Sequence, residues 1–175
     1  MSIDVAAPTR LAPSQLYLQI QLGPHTCCLP CNWVEQVVPS VDLTPVPGAP
    51  AHVRGLLRYH GQVITVIELG ILLGHPPAPA KFSTRIILLR AAPATPGAAL
   101  GLLAENVLNV LPLAPATFRS PSFGGTVSGP LGGPVAETPT GLIHVLEPAR
   151  LLPLHLPAGN PFTPTQVPLD PPTES

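Results

Sequence analysis

The residues best suited to chemistry in this chain are three cysteines, Cys27, Cys28 and Cys31, in the run C-C-L-P-C. A C-x-x-C pair serves as a thiol redox centre when its first thiol is acidified at a helix N-terminus. It serves as half of a zinc site when a second pair of Cys or His completes four ligands. Neither condition is evident. The chain has no other cysteine, and His25 is the one histidine close by. The surrounding residues read as a strand, and alternation places Cys27, Leu29 and Cys31 on one face as small buried hydrophobes. That structural reading is preferred. A thiol redox or metal-binding protein built on Cys27, Cys28 and Cys31 stands as the alternative.

Other chemistry is harder to assemble. Six histidines, at positions 25, 52, 60, 75, 144 and 155, form no H-x-x-x-H or H-E-x-x-H arrangement. His60 lies at a turn, where it is an ordinary turn residue before it is a titrating switch. The aspartates are Asp4, Asp42 and Asp170, and no Ser-His-Asp order can be defended with them. Glu68 and Glu147 each end a strand before a helical turn, a placement the helix dipole favours by itself. The glycine-rich stretch 124–134 lacks the Lys and Ser/Thr of a phosphate loop. The sequence therefore reads as non-enzymatic, with no cofactor and no metal.

Composition narrows the partners. Of 175 residues, 45% are hydrophobic and only 10% charged, and the net charge is −1. Soluble domains carry roughly 25% charged residues. One lysine, Lys81, makes a nucleic-acid surface untenable. The same poverty of charge argues against docking on anionic membrane. No apolar run reaches the roughly 18 residues of a spanning helix. The N-terminus lacks a basic region followed by an apolar one, so no signal peptide is expected. Localisation in the cytoplasm is the simplest expectation.

The elements that would position any site are short. There are 27 prolines, which separate the apolar runs and disfavour long helices. Residues 51–74 organise the rest. Two strands, Val53–Tyr59 and Gln62–Ile67, flank the turn His60-Gly61. Leu69, Leu72 and Leu73 then sit at helical spacing before Gly74 stops the chain. Further strands are expected at 16–22, 26–31, 85–90, 98–104 and 141–146, with 105–110 as a following segment. Val107 and Val110 in that segment are spaced by three. Asn32 is expected to cap a short helix carrying Trp33, Val34 and Val37. Pro148 opens another helical turn. Residues 39–50 read as extended loop or edge strand, 76–81 as a linker, and 113–139 as irregular with at most short strands. Residues 1–13 read as a loose leader and 157–175 as a disordered Pro-rich tail, leaving a domain at 14–156. Val63 to Glu68 followed by Leu72-Leu73 echoes Leu142 to Glu147 followed by Leu151-Leu152. One duplicated small barrel would produce that echo, and so would coincidence among leucine-rich strands. The fold class is all-β with short helical turns, a barrel or sandwich. Val34, Val53 and Leu56 near turns are candidate apolar contacts for other proteins, although core packing is the ordinary fate of each.

Several of these motifs together resemble the CheW-type coupling proteins of bacterial chemosensory arrays. The resemblance runs from Leu16 to about Leu152. It is carried by the alternating strand before Gly23, Leu29-Pro30, Val34-Glu35-Gln36-Val37, and Pro47 with Pro50. It continues through Val53-Arg54-Gly55, Gly61 to Leu69 with Leu73-Gly74, and Leu100 to Val110. The texture around residues 47–50 and 57–61 is closest to Wsp-like alternative systems. Departures are His60 where the family has arginine, Thr65 for proline, Glu68 and Glu105 for aspartates, and Cys27 for an aromatic. The resemblance implies two interlocked five-stranded SH3-like barrels and no enzymatic activity. It implies a chemotaxis signal-transduction scaffold that joins the cytoplasmic tip of a methyl-accepting chemoreceptor to the regulatory domain of a CheA-type histidine kinase. By the same resemblance the receptor tip docks between the barrels, against Val34, Gly55, His60, Gly101 and Val107. His60 in place of arginine puts any salt bridge of that arginine in doubt.

Overall fold

The computed structural model describes residues 13–79, 81–120 and 132–155. The expected leader and tail fall almost wholly outside them, as does the glycine-rich stretch through residue 131. Eleven strands dominate the described residues. They are β1 Gln15–Leu22, β2 His25–Pro30, β3 Val34–Pro39, β4 Val53–Tyr59, β5 Gln62–Ile67 and β6 Arg85–Leu89. They continue with β7 Leu100–Ala104, β8 Asn106–Leu113, β9 Phe118–Arg119, β10 Val135–Thr138 and β11 Gly141–Val145. Two one-turn helices, α1 Leu69–Leu72 and α2 Pro148–Leu151, follow β5 and β11.

The strands form two sheets. The first has the order β8-β1-β2-β11-β10-β9, the second β3-β6-β7-β5-β4. The pairing senses match position by position. β1–β8 and β3–β6 are antiparallel, β1–β2 and β6–β7 antiparallel, β2–β11 and β5–β7 parallel, and β10–β11 and β4–β5 antiparallel. The sixth strand of the first sheet, β9, has only a single-residue counterpart in the second, where Thr44 bridges to Leu56. The sequence echo thus falls on equivalent hairpin-and-helix units of two related sheets. Each sheet is completed by a strand that arrives from the other side of the chain: β3 leaves β2 to join the second sheet, and β8 leaves β7 to join the first.

Three apolar clusters hold this together. Leu18, Ile20, Leu22, Cys27 and Leu29 of the first sheet meet Ile67, Ile87, Leu89, Leu100 and Leu102 of the second. Opposite faces of the same strands fill separate interiors. Tyr17, Cys28, Ile143 and Val145 pack inside the first sheet, and Leu57, Ile64, Val66, Ile86 and Leu88 inside the second. β2, β6 and β7 are therefore buried on both faces. That is why their sequences are unbroken apolar runs rather than alternating ones. Each fully buried Leu or Ile contributes roughly 1.5–3 kcal/mol by removal from water.

Backbone chemistry fits the turns. His60 (φ 47°) and Gly61 (φ 79°) make the two-residue turn between β4 and β5, with positive φ at both central positions. Gly55 (φ 145°) lies at a register shift in β4. A Cβ there would stand 2.6 Å from the carbonyl oxygen of Thr44, which accepts from Leu56 N–H at 2.8 Å. Glycine at 55 thus lets the loop 39–50 lie against the sheet.

The structure corrects three expectations. Val34 and Val37 belong to strand β3, not to a helix; only Cys31–Trp33 make a helical turn, of 3-10 type. Asn32 does not cap it, and its Oδ1 accepts from Gln15 Nε2 at 3.1 Å. The β-branched pair Val37-Val38 favours the strand and pairs with Ile87 and Ile86. The segment at 105–110 is part of a longer strand ending at Leu113. The sheets of six and five strands match the expected two-barrel fold, the sixth strand being the two-residue β9, and among the described residues no hydrogen-bonded pairing joins the end strands of either sheet.

Gly101 sits on β7 with no room for a side chain. An added Cβ would lie 2.9 Å from Val66 Cγ2 and 3.1 Å from Ile86 Cγ2. Gly101→Ala is expected to cost about 1–3 kcal/mol by overpacking. Urea unfolding checks this through a lower midpoint at unchanged slope, and an unchanged midpoint would contradict the packing.

Candidate functional site

The cysteine run is core. Cys27 and Cys28 are fully buried on opposite faces of β2, and Cys31 is half-buried at the start of the 3-10 turn. Burial pushes the Cys27 thiol up to about 12, with Cys28 beside it adding to the shift. Burial alone does the same to Cys28, also to about 12, and raises Cys31. A redox pair needs the opposite shift. Among the described residues no group of three or more His, Cys, Asp or Glu is arranged to hold a metal ion. The redox and metal reading of Cys27, Cys28 and Cys31 has no support in this geometry.

A surface emerges instead where the shared core reaches solvent. Leu16, Leu18, Ile20 and Leu22 lie on one face of β1. Across the ladder they oppose Pro112 for Leu16, Val110 for Leu18 and Val107 for Ile20, so those β8 residues share that face. Leu18 and Ile20 are covered by the second sheet, whereas Leu16 and Val110 are 52% and 50% exposed. Val107 is half-buried and packs on the shared core, as does Val34 from the end of β3. The result is an apolar stripe along β1 and β8 that runs out from under the second sheet. Beside Val34, Glu35 pairs with Arg90 at 2.6 Å, and Arg90 N–H donates to Trp33 O at 2.9 Å.

The five residues marked by resemblance separate into groups. Val34 and Val107 abut the same core cluster. His60 is exposed at the β4–β5 turn, its ring edge-on to Tyr59 at 4.3 Å between centroids. The Tyr59 hydroxyl bonds Gln36 on β3, which brings this turn toward the strand that carries Val34. Gly55 and Gly101 are buried, and each makes room for a close approach inside the protein. Leu16 and Val110 were not singled out from sequence. The signal available was the spacing of three between Val107 and Val110, which within a strand implies a bulge, and β8 has its register shift there, opposite Gln19 and Ile20.

The family model described as a CheW-like domain matches residues 16–154, from β1 to the last 3-10 turn. The chain belongs to the CheW-like domain family. Protein FrzA of Myxococcus xanthus is 26% identical over 125 residues, which cover 71% of this chain and 76% of that protein. Chemotaxis protein CheW of Thermotoga maritima is 29% identical over 94 residues, 54% of this chain and 59% of that protein. The crystal structure of the scaffolding protein TtCheW from Thermoanaerobacter tengcongensis superposes with a TM-score of 0.66. It shares 22% identity over 77% of this chain and 89% of that one, which bears on the fold alone. The two sheets described above are the two SH3-like barrels of the CheW fold. Among the described residues no helix is long and apolar enough to cross a membrane.

In a CheW-like core of this kind the thiols of β2 are packing groups. At pH 8 a thiol with a pKa near 12 is ionised in about one molecule in ten thousand. Ellman's reagent is therefore expected to leave Cys27 and Cys28 unmodified in native Cys31→Ser protein over minutes and to modify both in guanidinium. Rapid native reaction of either would contradict their burial.

Proposed function

We propose that this CheW-like chain is a non-catalytic cytoplasmic adaptor that couples the cytoplasmic tip of a chemoreceptor to the regulatory domain of a CheA-type histidine kinase. The observation that carries the reading is the apolar stripe of Leu16, Val107 and Val110, with Val34 and Val107 packed on the same core cluster. It offers an exposed apolar strip at the edge of the shared core, suited to the apolar face of a receptor helix. Val34 and Val107 are the direct contacts of that helix. His60 is the exposed contact of the β4–β5 turn, and Gly55 and Gly101 act indirectly by fixing β4 and β7. The relatives named for chemotaxis and scaffolding support the same assignment.

Isothermal titration of the purified chain against a receptor-tip fragment and a kinase regulatory domain tests the proposal. Binding to both is expected. Val107→Lys places a charge on the stripe and is expected to weaken receptor-tip binding by at least about tenfold, equivalent to 1.4 kcal/mol, with circular dichroism unchanged. Binding to neither partner would overturn the adaptor reading. Binding to the receptor tip with full strength in Val107→Lys would overturn the location.

A further inference from the structure

Three imidazoles meet at one corner of the protein, and the adaptor reading uses none of them. His25 opens β2, and His144 lies on β11, which pairs with β2 in parallel through His144 opposite Cys27. His75 comes from the other sheet's part of the chain, just after α1. The His25 ring is 5.2 Å from that of His75 and 6.1 Å from that of His144, centroid to centroid. His25 is therefore the central ring of a row of three.

The corner is built rather than incidental. After α1 the chain turns at Gly74 (φ 79°), and His75 N–H donates to Gly70 O at 2.9 Å. The His75 ring then lies over the β1–β2 turn, where a Cβ on Gly23 would come within 3.1 Å of its Cδ2. All three rings are half-buried. His75 Nε2 and His144 Nδ1 are enclosed and have no hydrogen-bond partner. A neutral imidazole tolerates this, because its unprotonated nitrogen is only an acceptor. An imidazolium is a donor at both nitrogens and needs two partners.

The neighbouring carboxylates are mostly committed elsewhere. On the β7–β8 link, Glu105 Oε1 accepts from Gly23 N–H at 3.1 Å. Before α1, buried Glu68 pairs with Arg54 of β4 at 3.2 Å and accepts from Ala78 N–H. Glu137 of β10 faces Arg119 at 3.6 Å, and Glu147 after β11 pairs with Arg150. Cys27 and Cys28 on β2 stay neutral thiols. Glu68, Glu137 and Glu147 are paired with arginines, Glu105 accepts from a neutral N–H, and none of the four bonds an imidazole.

We infer that His25, His75 and His144 form a proton-sensitive clasp: neutral, they hold the segment 70–79 against the first sheet, and protonation releases it. Two charged rings within about 6 Å repel, and a charged His75 or His144 adds an unmatched donor. Burial lowers the His144 pKa first, and the charge of His25 lowers it further. The sign follows. Freed, His144 takes up a proton at the ordinary histidine value, about 6.5, before it does in the closed form. The closed form's advantage is complete above that value and is lost as pH falls toward the lowered one. The inference is independent of the partner assignment.

Amide hydrogen exchange on the full chain tests it, corrected for intrinsic rates. Between pH 7.5 and 5, protection of Gly74, His75 and Ala78 is expected to fall by about tenfold or more. Protection in β6 and β7 is expected to hold. His25→Gln removes the central ring; it is expected to flatten the pH dependence and to raise the His144 pKa read by imidazole NMR. If His25→Gln does not fold, His144→Gln is read for the same flattening. Constant protection across the pH range, or a pH-dependent loss that persists in the folded variant, would overturn the clasp. So would a His144 titration indifferent to His25.

Discussion

Leu18, Ile20 and Leu22 from one sheet press against Ile87, Leu89, Leu100 and Leu102 from the other, and the rest of the molecule depends on that contact. Neither sheet has enough interior to stand well alone. Among the described residues the inner cluster of each is six buried residues, a small core by the standard of independent domains. The shared seam supplies what each lacks. It also explains the oddities of composition. Strands buried on two faces need apolar residues at consecutive positions, so the chain is rich in hydrophobes and poor in charge without containing a membrane-length run. Prolines concentrate in the connections between these strands, where a missing N–H costs no ladder bond.

The same contact creates the surface proposed for binding. A seam between two curved sheets must end somewhere, and the face of β1 and β8 continues past the point where the second sheet stops covering it. Leu16 and Val110 are the exposed continuation of a core row. Such a boundary provides an apolar contact area held rigidly by the ladders beneath it, which lowers the ordering cost of association. The two buried glycines act at one remove. Gly55 lets a loop lie against β4, and Gly101 lets β7 close on β5 and β6. Substitution at either would be felt through the frame.

Much of this was legible in sequence because local chemistry and tertiary role agree. Val53–Tyr59, His60-Gly61 and Gln62–Ile67 announce a hairpin by pattern and turn residues alike. So do Glu68 and the leucines of α1. The reading failed where a local signal was outvoted. Asn32 looks like a cap, but Val34 and Val37 gain a ladder with β6, a partner fifty residues away that no local window contains. The bulge in β8 was visible only as an awkward spacing of valines. The row of His25, His75 and His144 was invisible, because three distant elements converge on it and no motif spacing connects them.

The first sheet draws its strands from both ends of the chain. β1 and β2 are complete by residue 30, yet their neighbours β8 and β11 begin only at residues 106 and 141. During synthesis at roughly 5–20 residues per second, the β1–β2 hairpin waits on the order of ten seconds for them. For that interval the Cys28 face of β2 lacks its final cover. The second sheet, contiguous apart from its dependence on the seam, is made entirely within the wait. The nascent chain is therefore most vulnerable to aggregation and thiol oxidation at its N-terminal hairpin, and a holdase chaperone acting there early would matter more than one acting after release.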